Sequence, residues 1–340
     1  MTAPAASTGP RSLGDTFDAA DPALSAALRD GLERVEQRLR EVADAGHPLL
    51  RTASRHLVEA GGKRFRPLLA LLAGQLGDGD DPRVVEAAVV VELTHLATLY
   101  HDDVMDEADV RRGAESANSR WTNTVAILTG DYLFARASDL VADLGPEAVR
   151  IQARTFARLV EGQISETAGP AEGQDAIAHH LQVVSDKTGS LIATSARLGS
   201  LLAGAPAAHV DAVTRYAEVI GTAFQLSDDL IDVMSEGGQS GKTPGTDLRE
   251  GIRTLPVLEA LAGDDPGEAR LRELVARPLP DDAEHAEALA LLRGSSAVGA
   301  ARDRLTAALD EARALAGALP DGPVRAALLA LADFNVARTG

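Results

Sequence analysis

Residues 92–113 read ELTHLATLYHDDVMDEADVRRG, and residues 224–238 read FQLSDDLIDVMSEGG. Each stretch is an apolar run of helical period that ends in the same acidic pattern, D-D-x-x-D. The first cluster is Asp102, Asp103 and Asp106; the second is Asp228, Asp229 and Asp232. Positions i and i+4 of a helix lie on one face a turn apart, so each cluster sets carboxylates side by side. In a chain with 51 acidic residues a single such pattern is ordinarily a solvated helix face. The flanks argue otherwise, since Leu93, Leu96, Ala97 and Leu99 lead into the first and Ile220, Ala223, Phe224 and Leu226 into the second. Carboxylates crowning two buried helices need a positive counter-charge. A hard cation such as Mg²⁺, shared with substrate phosphates, supplies it, so the pattern points to a diphosphate site.

Working outward, the chain reads as helix almost throughout, punctuated by Gly and Pro clusters. The spacing predicts helices over about 22–45, 48–60, 67–77, 82–107, 117–143, 146–168, 174–203 and 208–236. Shorter ones follow over about 254–263, 266–276, 282–293, 296–317 and 321–337. No βαβ alternation and no dividing linker stand out. The expected architecture is therefore one all-α bundle around a deep central cavity, over residues 16–340, with residues 1–15 a disordered tail.

The bulk numbers exclude several classes. A net charge of −18 repels a nucleic-acid backbone. The absence of cysteine rules out thiolate chemistry and fits a reducing compartment, so a cytoplasmic protein is expected. No stretch reads as the roughly 20 apolar residues of a membrane span or as a signal peptide.

Against this acidic background the basic clusters stand out. GGKRFRP (61–67) sets Lys63, Arg64 and Arg66 beside flexible glycines and reads as an anion cradle. Arg111 and Arg112 follow the first aspartate cluster within two turns, suited to bidentate phosphate contact. Lys187, with Thr188 beside it, interrupts an apolar helix, and Lys242 sits in a Gly-rich loop after the second cluster. Two acidic and two basic groups are the inventory for two diphosphates, one held through metal and one directly. Glu92-x-x-His95 could belong to a di-iron site, but such a site needs the motif twice plus two further glutamates. His95, about 10 Å below Asp102 on the same helical face, reads instead as a polar donor at the cavity wall.

These motifs together resemble the trans-isoprenyl diphosphate synthases, the head-to-tail polyprenyl synthases. GGKRFRP, the 92–113 segment, GDYLFARA (130–137), DKTGSLI (186–192), FQLSDDLIDV, GKTPGTDLREG (241–251) and TLP (254–256) occur in the family's order. The resemblance implies an Mg²⁺-dependent prenyltransferase, usually a homodimer, that joins isopentenyl diphosphate to an allylic prenyl diphosphate. It implies three Mg²⁺ ions, two on Asp102 and Asp106 with Asp103 in support, and one on Asp228 with Asp229 and Asp232 behind. Arg111, Lys187, Thr188, Gln225 and Lys242 would contact the allylic diphosphate. Lys63, Arg66, His95 and Arg112 would hold isopentenyl diphosphate. The family often has a lysine where this chain has Ile252, followed by Arg253.

Ala97 and Thr98, about one turn before Asp102, are small and would leave the cavity open beneath the first cluster. In the family this resembles medium- and long-chain synthases rather than those stopping at farnesyl or geranylgeranyl. A geranylgeranyl diphosphate synthase is the alternative. A class I terpene cyclase would need only one D-D-x-x-D, and a regulatory subunit would have lost aspartates. Loop 236–247 is expected to close over the site and exclude water.

Overall fold

The structure, a computed structural model, describes residues 21–235 and 244–339, excepting the side chains of residues 335–339. The expected tail, Lys242 and most of the expected closing loop lie outside these residues. Helices α1 (Pro22–Val42), α2 (Pro48–Glu59), α3 (Phe65–Gly74) and α4 (Pro82–Met105) come first. A two-residue hairpin pairs β1 (Val110–Arg111) with β2 (Ala114–Glu115). After it run α5 (Ala117–Arg120), α6 (Asn123–Asp143), α7 (Pro146–Ala168) and α8 (Ala176–Val184), which passes through a π-helical turn at Ser185–Gly189 into α9 (Ser190–Leu202). Then come α10 (Ala207–Met234), α11 (Thr246–Glu250), α12 (Leu255–Ala262), α13 (Ala269–Val275), α14 (Asp282–Arg293), α15 (Ser296–Gly317) and α16 (Pro323–Thr339). The expected all-α single domain is what is found.

Local chemistry sets many of the boundaries. The carboxylates of Asp21, Asp81, Asp175 and Asp281 accept amide hydrogens of the first turns of α1, α4, α8 and α14. Proline follows at the opening of α1 and α4, where its missing N–H costs nothing. The helix expected over 117–143 is broken, because Trp121 leaves helical geometry and the Thr122 hydroxyl caps α6 afresh through the Val125 amide.

α4 is apolar nearly all round and buries almost every residue from Val84 to Ala97, as a central helix must. It is the one described helix long and apolar enough to cross a membrane. Yet 78% of its apolar window is buried within the protein, against α1, α3, α6 and α9. α9 packs on both α4 and α10 and bridges the two aspartate-bearing helices. Between them lies a cavity of about 450 Å³, walled by α3, α4, the π turn, α9 and α10.

Candidate active site

The helix separates the first cluster by direction. Asp102, half-buried at the end of α4, faces the cavity. Asp103 is fully buried, and its Oδ1 accepts the Nε–H of Arg111 at 2.5 Å. Asp106 is exposed, with Arg111 Nη2 3.9 Å away. The chain reverses through Glu107 at φ 51°, and the hairpin returns Arg111 to Asp103. Burial pushes the Asp102 carboxyl up, as does the charge of Asp106, while Lys187 and Arg111 oppose this.

The second cluster divides its labour in the same way. Asp229 is buried; it accepts the Leu255 amide at 3.3 Å and Gln225 Nε2 at 3.1 Å, with His180 Nε2 at 3.3 Å. This carboxylate ties α10 to the TLP segment. Asp232 accepts the amides of Thr246 and Asp247 at 3.3 and 3.4 Å and so anchors the start of α11. Asp228, half-buried, lies one turn after Phe224, which lines the cavity.

Among the described residues, no three His, Cys, Asp or Glu side chains converge into a cage for an ion. A cage is not required where substrate phosphates complete the coordination, because Mg²⁺ is usually held by one or two carboxylates plus phosphates. Asp102, half-buried and with the charge of Asp106 nearby, has the hard oxygen donors that such an ion fits.

Most of the charged side chains that line the cavity are positive. Lys63, Arg66, Arg112 and His95 line it, with Lys63 Nζ 5.7 Å from the Phe224 ring centroid. Burial lowers Arg66 to about 10, and its Nε is buried without a partner. Burial, then the nearby Arg66 and Arg112, drive His95 well below its ordinary value, so its ring is neutral. Arg64 departs from the expected three-cation cradle. At φ 45° it turns inward, donating to Glu36, to Glu92 Oε1 at 2.7 Å and to the Val58 carbonyl at 2.9 Å. A long cation with two buried or half-buried carboxylates in reach gains more from them than from solvent.

Lys187 and Thr188 reach the cavity from the π turn, and Gln225 from α10. Lys187 Nζ pairs with Glu166 at 2.6 Å. Such single π turns often mark functional positions. Arg253 and Ile252 are exposed and do not line the cavity.

Thr98 borders both this cavity and a second one of about 280 Å³, lined by Ala97, His101, Asp131, Phe134, Ala135 and Phe156. The Thr98 hydroxyl donates to the His95 carbonyl at 2.8 Å. Ala97 is buried and borders only the lower cavity. The Phe134 and Phe156 rings lie 4.0 Å apart beside it. Gly130 leaves room for the His101 ring, since a Cβ would come within 2.4 Å of His101 Nε2. Glu92, Glu166 and His180 were not assigned to the site from sequence; only Glu92 carried a signal, its spacing to His95.

An all-α bundle whose cavity is lined by Asp102 together with Lys63, Arg66, Arg112 and Lys187 defines an isoprenoid-synthase type of protein. The chain belongs to the polyprenyl synthetase family, whose model matches residues 47–292. It is 52% identical over 324 residues to the nonaprenyl diphosphate synthase of Mycobacterium tuberculosis, covering 95% of this chain and 97% of that one. Geranylgeranyl pyrophosphate synthase from Corynebacterium glutamicum, complexed with calcium and isoprenyl diphosphate, shares the fold with a TM-score of 0.86 and 47% identity. That match covers 94% of this chain and 98% of that one. A decaprenyl diphosphate synthase from Rhodobacter capsulatus matches with a TM-score of 0.85 and 36% identity, over 94% and 99%.

Proposed function

We propose that this chain is a prenyltransferase that condenses isopentenyl diphosphate head-to-tail with an allylic prenyl diphosphate, giving a medium- or long-chain all-trans polyprenyl diphosphate. The observation that carries this reading is one cavity lined by Asp102 together with Lys63, Arg66 and Arg112, and a second cavity that shares Thr98 with it. Asp102, Asp106 and Asp228 would hold Mg²⁺, three ions in all, with Asp103, Asp229 and Asp232 fixing the helices that present them. The metal supplies Lewis-acid stabilisation of the departing diphosphate.

Lys187, Thr188, Gln225 and Arg111 orient the allylic diphosphate, with Lys242 from the loop; Lys187 exchanges Glu166 for it. Its C–O bond breaks, leaving a delocalised carbocation in the cavity. Lys63, Arg66, Arg112 and the neutral His95 hold isopentenyl diphosphate so that its double bond attacks that carbon. A new C–C bond forms, and a proton passes to the released diphosphate. The apolar residues Phe65, Leu159, Leu191, Ile192 and Phe224 limit water near the cation.

The tail extends past Thr98 toward Phe134 and Phe156. Both a nonaprenyl and a geranylgeranyl synthase are close relatives by sequence, so product length is read from this lower cavity. We infer a homodimer from the exposed apolar stripe of Val149, Val160 and Ile164 on α7 beside Ile127 and Leu128 on α6. The cysteine-free, acidic composition suits the cytoplasm.

The test is incubation of the purified protein with Mg²⁺, labelled isopentenyl diphosphate and farnesyl diphosphate, sizing the dephosphorylated products. Products of seven or more isoprene units support the full reading. A product stopping at geranylgeranyl overturns the length and keeps the chemistry. No incorporation with any allylic primer overturns the condensation.

A further inference from the structure

Glu92 is 2% exposed and lines the cavity together with its cationic side chains. Its Oε1 is shared: Arg64 Nη1 lies 2.7 Å from it and Arg112 Nη2 3.7 Å. Its charge is also the favourable one felt by Arg66, against the repulsion of Arg112. Three guanidiniums therefore gather around one buried carboxylate, and without it they would repel each other in a low-dielectric site.

Arg112 is held on its other side as well. It donates to the Gly61 carbonyl and to the Leu57 carbonyl at 3.3 Å. Its guanidinium lies flat over Gly62, where a Cβ would come within 2.9 Å of Cζ. Arg64, by contrast, is satisfied by Glu36 and the Val58 carbonyl whether or not Glu92 is charged.

We propose that Glu92 is a positioning residue that assembles the Arg66–Arg112 pair before the non-allylic diphosphate arrives. It sets the affinity for that substrate without touching it. The inference rests on the substrate assignment made above. Preorganised cations lose less side-chain entropy on binding, so the effect falls on ground-state binding and not on the chemical step.

The experiment compares Glu92→Gln, Gly62→Ala and Glu36→Gln in the full-length enzyme with Mg²⁺. Glu92→Gln should raise KM for isopentenyl diphosphate about tenfold. kcat and the KM for the allylic substrate should stay within about twofold. Gly62→Ala, which crowds Arg112 and strains a backbone at φ 148° but leaves Glu92 in place, should reproduce that pattern. It serves as the test should Glu92→Gln fail to fold. Glu36→Gln should leave the isopentenyl diphosphate KM unchanged.

An equal rise for both substrates, an equal effect of Glu36→Gln, or no change would each overturn the proposal. A second readout is independent of turnover: the rise in melting temperature caused by inorganic diphosphate without divalent cation. That rise should be smaller in Glu92→Gln and Gly62→Ala than in the parent. An undiminished rise overturns the role of Glu92, and a parent enzyme that binds diphosphate yet never condenses overturns only the substrate assignment.

Discussion

Arg111 donates its Nε hydrogen to Asp103 Oδ1 at 2.5 Å, which commits the middle carboxylate of the first cluster to the hairpin behind it. Asp102 is left to line the cavity, and Asp106 is exposed one turn further on. Asp102→Asn and Asp228→Asn should each lower kcat by about 10²–10³, as loss of one stabiliser of developing charge does. The melting temperature of Asp102→Asn without metal should barely move. Asp103→Asn should lower the melting temperature by several degrees and reduce activity less, because it breaks a buried ion pair at about 1–3 kcal/mol. Steady-state kinetics alongside thermal unfolding separates the two classes, and identical effects of all three would contradict this division.

The lower cavity makes a graded prediction about product length. Thr98 lines both cavities, whereas Ala97 borders only the lower one. Thr98→Phe should therefore give the shorter products and Ala97→Phe an intermediate set. Phe156→Ala, which removes one ring of the pair beside the cavity, should lengthen the product. Chromatographic sizing of the alcohols checks the order; an unchanged distribution in Ala97→Phe would refute the open-floor argument.

Much of this arrangement is legible in the sequence. Helices expected at 146–168, 282–293 and 296–317 have those same limits in the structure; Pro146 and Gly169 bound the first, Asp281 and Gly294 the second, and Ser295 precedes the third. Asp102, Lys63, Arg66, His95, Arg112, Lys187, Thr188 and Gln225, all singled out by their motifs, line one cavity, whereas the other five aspartates of the two clusters are not among its lining residues. What sequence hides is the direction of a side chain when two destinations compete. Arg64 sits between two cradle cations yet turns to Glu36 and Glu92, which lie 28 residues away on either side. The same long-range logic hides His180 against Asp229 and Glu166 against Lys187. The π turn at 185–189 is also invisible, because its periodicity differs from an α-helix over only five residues.

His95 makes a pH prediction. Burial among cations holds its pKa well below 6.5, so the folded protein keeps it neutral while the unfolded chain protonates near the ordinary value. Below pH 6.5 the unfolded state therefore binds the extra proton, and stability is lost as pH falls through and below that value. His95→Gln should flatten the fall in unfolding free energy between pH 7.5 and about pH 5.5. Urea titrations at the two pH values measure it. A slope equal to that of the parent would mean the ring is charged in the folded protein.

The homodimer reading can be tested on α7. Ile164 is 62% exposed, in line with Val160 and Val149 on the same helical face, and Ile127 and Leu128 extend the patch on α6. A two-fold interface buries each such residue twice, so one charge placed there is desolvated twice. Ile164→Glu should weaken dimerisation by about a hundredfold or more, giving monomer at micromolar concentration in sedimentation equilibrium. Ile252, 48% exposed and remote in sequence after α11, is the control: Ile252→Glu should leave the dimer intact. Because Asp131 and Ala135, both exposed, border the lower cavity on the same helix as Ile127 and Leu128, a monomeric variant should also release a broader range of product lengths. A parent protein that sediments as a monomer, or an Ile164→Glu variant that remains fully dimeric, would remove α7 from the interface.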